Sequence, residues 1–225
     1  MKPVLGKMKG GLIVSCQASE GSPLCGPQFM SAMARSAELG GAVGVRANGV
    51  EDIRAIRERV SLPIIGILKR RCSDGGIWIT IEPEDALAVV QAGADIVALD
   101  ATKRLRPSGK PFAEIASLIK KETSALVMAD ISTFEEGQAA ATAGADIVAT
   151  TLSGYTYYSR QQETPDVELI ETLANKLDMP IVGEGRFRSP VAVQEAIQRG
   201  AFAVVVGQAI TDPLVTTKRF AQALH

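Results

Sequence analysis

The sequence predicts a closed parallel barrel of eight strands and eight helices, a single-domain (β/α)8 TIM barrel, on three observations. Ala92-Gly93-Ala94-Asp95-Ile96-Val97-Ala98 recurs as Ala143-Gly144-Ala145-Asp146-Ile147-Val148-Ala149, 51 residues later. Weaker echoes stand at Leu39-Gly40-Gly41-Ala42-Val43-Gly44-Val45 and Arg199-Gly200-Ala201-Phe202-Ala203-Val204-Val205. Each echo ends an amphipathic stretch at a glycine, which suits a helix C-terminus, and continues into an apolar run that reads as a strand buried on both faces. The third observation is length: 225 residues with no linker or low-complexity tract suit one large domain. A doubly wound open sheet is the second choice, but the first strand is not followed by a GxGxxG turn, and such a sheet would not need a fourfold echo.

Taken in order, the first strand is expected at residues 11–16 and the first barrel helix at 27–39, opened by Pro27. The first echo supplies strand two, and a helical pattern follows at 50–60. Pro63 introduces strand three at 63–68, and Pro83-Glu84-Asp85 starts the next helix at 83–91. The second echo is strand four, followed by a helix at 112–121 and strand five at 125–129. Thr133-Phe134-Glu135-Glu136 opens the helix at 134–143, and the third echo is strand six. Pro165-Asp166 begins the helix at 166–177, strand seven occupies 180–183, and Ser189-Pro190 begins the helix at 190–199. The last echo is strand eight, and Pro213 opens the final helix, 213–224.

Composition removes several functions. With 24 Lys+Arg against 25 Asp+Glu, the chain has no global basic field to attract nucleic acid or a membrane surface. No apolar stretch is long enough for a membrane span, and the first seven residues, broken by Gly6 and Lys7, do not resemble a signal peptide, so a cytoplasmic protein is expected. Cys16, Cys25 and Cys72 are widely spaced and do not suggest a disulfide framework or a zinc site. The single histidine is His225, the last residue. Proton chemistry therefore falls to Lys, Asp, Glu, Tyr or Cys, and no metal or nucleotide cofactor is expected.

Active sites of such barrels form at the C-terminal ends of the strands. The eight apolar runs exit in order into Gln17, Arg46, Lys69, Asp100, Asp130, Thr150-Thr151, Glu184 and Gly207-Gln208. A single charge at a strand end means little, because loops are polar. Arg46, Lys69, Asp130 and Glu184 on one rim instead make a small cup suited to an anionic, polyhydroxylated small molecule. Lys69 follows an uncharged run, so its stem is expected to be buried and its amine to sit on the cup floor, where desolvation would make it a usable base or Schiff-base nucleophile. Gly185 and Arg186 after strand seven, with Gly207 and Gln208 after strand eight, occupy the two loops that often bind phosphate in this fold. Thr151 and Tyr155 lie in a Thr/Ser/Tyr tract that could close over a sugar; the bland alternative is a capped surface loop. Arg70, Arg71 and the tract Lys103-Arg104-Leu105-Arg106 read as solvated or phosphate-facing, and Trp78 and Met128 as core or interface.

The segments Ile64-Ile65-Gly66-Ile67-Leu68-Lys69-Arg70, Met128-Ala129-Asp130-Ile131-Ser132-Thr133, Thr150-Thr151-Leu152-Ser153-Gly154-Tyr155-Thr156 and Gly183-Glu184-Gly185-Arg186 closely resemble the bacterial N-acetylmannosamine-6-phosphate 2-epimerase family. The resemblance runs from about residue 11 to 220. It implies a TIM barrel, usually a homodimer, that interconverts N-acetylmannosamine 6-phosphate and N-acetylglucosamine 6-phosphate in amino-sugar or sialic acid metabolism without a cofactor. It implies Lys69 as the proton-transfer residue with Glu184 beside it, and Gln17, Arg46 and Asp130 lining the substrate. One position departs: many relatives carry Arg near the phosphate where this chain has Asp212, and Arg188 is a candidate replacement for that charge. A Schiff-base phosphosugar aldolase and a non-catalytic phosphosugar-binding barrel are the competing functions.

Overall fold

The computed structural model describes residues 3–18, 21–71 and 76–224; Cys72 and His225 lie outside them. Eight parallel strands close in the order β1-β10-β9-β8-β7-β6-β3-β2. They are β1 (Leu12–Cys16), β2 (Gly44–Asn48), β3 (Ile64–Ile67), β6 (Ile96–Asp100), β7 (Leu126–Asp130), β8 (Ile147–Ala149), β9 (Ile181–Glu184) and β10 (Ala203–Val206). Helices α2 (Pro27–Leu39), α3 (Val50–Arg57), α4 (Pro83–Gln91), α5 (Phe112–Glu122), α6 (Phe134–Thr142), α7 (Val167–Lys176), α8 (Pro190–Gln198) and α10 (Pro213–Gln222) alternate with them. The caps expected from sequence are present. Thr133 forms a capping box with Glu136, and Asp166 and Ser189 accept N–H groups from the first turns of α7 and α8.

Two apolar layers hold the barrel. One lies between strands and helices, with Val45, Ile53, Val97, Ile119, Val127, Val148, Leu173 and Val204 among its buried members. The other fills the interior with Ile13, Ile65, Ile67, Ile96, Ala98, Leu126, Met128, Ile147, Ala149, Val182, Ala203 and Val205. Within each strand these interior positions are two apart, as alternation across a pleat requires. Continuing that parity one step leads to Arg46 from Gly44, Asp130 from Met128, Thr151 from Ala149 and Glu184 from Val182. The polar cup is thus the next layer of the same inward-facing stack.

Three short elements were not anticipated. Helix α1 (Pro3–Met8) contributes Leu5 and Met8 to the interior cluster, and Gly10 N–H bonds the carbonyl of Phe202 just before β10. This seals the end opposite the cup. A two-stranded antiparallel ribbon, β4 (Lys69–Arg71) and β5 (Ile77–Ile79), rises from the exit of β3. Helix α9 (Gln208–Thr211) separates β10 from α10. Such one-turn elements carry too little periodicity to read from sequence.

Gly66 illustrates how tightly the strand–helix layer closes: a Cβ there would lie 2.4 Å from Val89 Cγ1 and 2.7 Å from Ala94 Cβ. Gly66→Ala is expected to destabilise the protein by about 1–3 kcal/mol through overpacking, seen as a lower urea midpoint at unchanged slope.

Candidate active site

Arg46 organises the cup. The apolar run had suggested that strand two ends at this charge, yet β2 runs on to Asn48 and Arg46 sits at its centre, 0% exposed. The strand tolerates the charge because two carboxylates meet it inside the barrel. Nη1 and Nη2 donate to Asp130 Oδ1 at 3.1 Å and Oδ2 at 2.6 Å, a bidentate pair, and Nη1 lies 2.9 Å from Glu184 Oε2. Burial works against the guanidinium charge, but Asp130 and Glu184 outweigh it, and the pKa of Arg46 is raised. Asp130 is likewise 0% exposed, so these two side chains form the floor of the cup.

Glu184 and Thr151 stand above that floor. Thr151 Oγ1 lies 2.7 Å from Asp130 Oδ1 and 3.2 Å from Glu184 Oε2. Thr150, missed as a positioning group, locks the backbone of Glu184 from both sides: its hydroxyl donates to the Glu184 carbonyl and accepts from the Glu184 N–H, each at 3.0 Å. Burial, the largest influence, and the neighbouring Asp130 charge push the Glu184 pKa up against the pull of Arg46, Lys69 and the Thr151 hydroxyl.

The structure corrects the placement of Lys69. It is not on the cup floor with a buried stem; it is exposed, as the first residue of β4, because the chain leaves the barrel after β3 and turns into the ribbon. The ribbon is held firmly. Lys69 N–H donates to Asn48 Oδ1 at 2.8 Å, Leu68 N–H to Thr80 Oγ1 at 2.9 Å, and Thr80 N–H to the Leu68 carbonyl at 2.8 Å. Arg70 is no solvated bystander, since it grips Asp85 of α4 through Nε at 2.6 Å and Nη2 at 2.5 Å. The residue as a whole is exposed, yet its amine stands within reach of the charges at the barrel mouth. Desolvation and the Arg46 charge lower its pKa, with Glu184 and Asp130 opposing.

The remaining predicted residues lie in the segments that follow β1, β8, β9 and β10. Gln17 is half-buried beyond β1, and its amide donates to Ser15 Oγ at 2.7 Å. Gly207 precedes α9, and a Cβ on it would approach Ser15 Cβ at 3.4 Å; Gln208 opens that helix. Gly185 adopts φ +112°, and Arg186 has φ +60°, a conformation side chains rarely adopt. Arg186 turns to the Tyr155 loop: it donates to the Ser153 carbonyl at 2.8 Å and stacks on the Tyr155 ring at 4.4 Å. Gly154 makes room for it, as a Cβ there would meet Arg186 Nη2 at 2.4 Å. Tyr155 is 60% exposed at the rim, whereas Tyr158 turns away to donate to Glu136 at 2.6 Å. Arg188 is exposed just before α8, and Asp212 is buried and caps α10 by accepting from Val215 N–H at 3.0 Å.

The basic tract after β6 has structural partners. Arg104 pairs with Asp100 at 2.5 Å and covers the Trp78 ring at 4.1 Å, tying the ribbon to β6, and Lys103 lies over Tyr158. A surface recess of about 690 Å³ beside this tract lies outside the cup. Among the described residues, no group of three His, Cys, Asp or Glu side chains could hold a metal ion, and no helix is long and apolar enough to cross a membrane.

Residues 30–225 match a family model described as "Putative N-acetylmannosamine-6-phosphate epimerase". The chain belongs to the N-acetylmannosamine-6-phosphate 2-epimerase family. It is 52% identical over 218 residues, covering 96% of this chain and 92% of the relative, to a protein of Caldanaerobacter subterraneus subsp. tengcongensis named "Putative N-acetylmannosamine-6-phosphate 2-epimerase". A relative of the same name in Cutibacterium acnes is 47% identical over 99% of this chain and 97% of its own. The solved N-acetylmannosamine-6-phosphate 2-epimerase from Clostridium perfringens superposes with a TM-score of 0.94 at 44% identity, covering 97% of this chain and 95% of that one. Membership confirms the resemblance drawn from the GI-x-KR, TTLSGYT and GEGR segments, and the epimerase barrel is the architecture seen here.

Proposed function

We propose that this protein is an isomerase that interconverts N-acetylmannosamine 6-phosphate and N-acetylglucosamine 6-phosphate by removing and returning the proton at C2. The observation that carries the reading is one cup at the C-terminal barrel mouth holding a lysine of lowered pKa and a glutamic acid of raised pKa, both over a buried Arg46–Asp130 pair. Opposed shifts of this kind are how one site supplies a base and an acid at the same pH.

The chemistry follows from the substrate. The C2 hydrogen is acidic only while C1 is a carbonyl, so the open-chain aldehyde is the reacting form. Neutral Lys69 takes the proton, and Glu184 supplies hydrogen-bonding or proton donation as negative charge spreads onto the carbonyl oxygen. Arg46 and Asp130, inaccessible beneath, keep Glu184 in place. Backbone groups at Gly185, Arg186, Gly207 and Gln208 and the Tyr155 rim hold the phosphate and chain, which fixes C2 against Lys69. No step calls for a metal or nucleotide cofactor.

Incubation of the purified protein with N-acetylmannosamine 6-phosphate, followed by proton NMR, should show the gluco epimer appear; saturable binding without turnover would instead indicate a binding barrel. Borohydride trapping of substrate on Lys69 would favour the aldolase. Because Asp212 is committed to capping α10, Arg188 is proposed to supply the missing cationic charge toward the phosphate. Arg188→Ala should raise KM about tenfold or more, the scale of one charge-assisted hydrogen bond. An unchanged KM, or a preferred substrate without phosphate, contradicts this role.

A cytoplasmic homodimer completes the proposal. None of the residues of α10 is buried, and Phe220 and Leu214 are exposed on it, which supports a subunit contact there. Size-exclusion chromatography with light scattering reads the state directly.

A further inference from the structure

We infer that Thr151 is a positioning residue that keeps Glu184 protonated in the resting site, by accepting the Glu184 carboxyl proton while donating its own to Asp130. The inference rests on the proposed function only in giving that stored proton a use.

Proton counting carries it. A threonine hydroxyl has one hydrogen to give and lone pairs to receive another. Thr151 Oγ1 has a carboxyl oxygen on each side, Asp130 Oδ1 at 2.7 Å and Glu184 Oε2 at 3.2 Å. One hydrogen cannot serve both. If both carboxyls were ionised, one of these contacts would set oxygen lone pairs against each other in a buried site. The hydrogen belongs on Asp130, the shorter contact, whose oxygens also accept both guanidinium hydrogen bonds from Arg46. Glu184 Oε2 lies 2.9 Å from Arg46 Nη1, an ionic approach, but the hydrogen bonds of both Nη atoms are aligned on Asp130. A proton on Glu184 Oε2, donated to Thr151 Oγ1, resolves the conflict and forms a chain Glu184–Thr151–Asp130 in which each link has one donor and one acceptor.

Charge balance permits this state. The groups facing Glu184 are Arg46 from β2, Lys69 from β4 and Asp130 from β7. Arg46 and Asp130 cancel, and the cup is without net charge whether Glu184 and Lys69 are both neutral or both ionised, so it is the single Thr151 hydrogen that selects the neutral Glu184. Burial, the largest influence, and the Asp130 charge raise the Glu184 pKa, whereas Arg46, Lys69 and any hydrogen bond that Thr151 donates to an ionised Glu184 pull it down; with the Thr151 hydrogen spent on Asp130, that last pull is absent. In this state Glu184 holds the proton that the proposed reaction would use at the carbonyl oxygen.

The test is an infrared titration of the substrate-free protein, following the protonated-carboxyl stretch assigned to Glu184 by its loss in Glu184→Gln. In the wild type the band should persist well above the ordinary glutamate range. Thr151→Val removes the acceptor of the Glu184 proton, so the neutral form is destabilised and the band should titrate about half a pH unit to one unit lower. Thr151→Ser, which keeps the hydroxyl, should restore the wild-type titration. A band that moves to higher pH in Thr151→Val would mean that the hydroxyl donates to an ionised Glu184, and an unmoved band would mean that it does neither; both overturn the inference. Circular dichroism and urea midpoints confirm that each variant is folded. Because this readout needs no turnover, it can fail while the epimerase reading stands, and succeed where that reading fails.

Discussion

Lys69→Ala is expected to lower kcat by roughly 100- to 10,000-fold, the usual contribution of a positioned general base. The loss should fall on kcat and kcat/KM together, since the amine is proposed to act on the reacting hydrogen and the loops proposed to hold phosphate are others. Stability should stay close to wild type. Lys69 is exposed, and the ribbon that carries it is fixed by groups other than its side chain: Asn48 on its backbone, Thr80 on Leu68 and Asp85 on Arg70. Lys69→Arg separates the roles further. It preserves positive charge but cannot be deprotonated in this range, so it should be as inactive as the alanine variant. Substantial activity in Lys69→Arg, measured by epimer formation, would mean that the residue contributes charge and not basicity.

The second large effect is expected for Arg46→Met. Removing the guanidinium leaves Asp130, and Glu184 whenever it ionises, buried without their cation, and breaking a buried pair in this way costs about 3–5 kcal/mol. Urea unfolding at neutral pH should show that loss, and epimerisation should fall as well, because Glu184 would no longer be held over the cup. The pH dependence gives the mechanism away. Without the cation, which pulls it down in the wild type, the already raised Glu184 pKa climbs further above its unfolded value. Stability from such groups is fully present below the unfolded pKa and is lost as pH rises through the folded one. The stability gap between variant and wild type should therefore narrow in acid and widen toward neutral pH. A gap independent of pH would show that Arg46 acts through packing alone.

Much of this protein is legible in its sequence because a barrel repeats its own grammar. The echoed Ala-Gly-Ala-Asp-Ile-Val-Ala marks helix end, turn and buried strand, and the helix at 83–91 begins and ends where its Pro83 and its apolar spacing place it. The cup was also legible in outline, since parity along each strand leads from the apolar interior to Arg46, Asp130, Thr151 and Glu184. What escaped was long-range. Strand β2 seemed to stop at Arg46 because the neutralising Asp130 is 84 residues away. Lys69 seemed to be a floor residue because nothing in Lys69-Arg70-Arg71 announces a ribbon; its anchors, Asp85 and the Trp78–Arg104 stack, come from separate elements. Arg70 and Arg104 looked like solvated charge for the same reason. Arg186 is expected among phosphate ligands, and the structure shows it engaged with Ser153 and Tyr155, which links the loop after β9 to the loop that carries Tyr155.

The most direct test of the central claim, that Lys69 lifts the C2 hydrogen as a proton, is epimerisation in D2O monitored by proton NMR to equilibrium. Both epimers should lose the C2–H signal as deuterium enters from solvent, at a rate that collapses in Lys69→Ala. Epimers that reach equilibrium with the original hydrogen still on C2 would contradict proton transfer to and from this site.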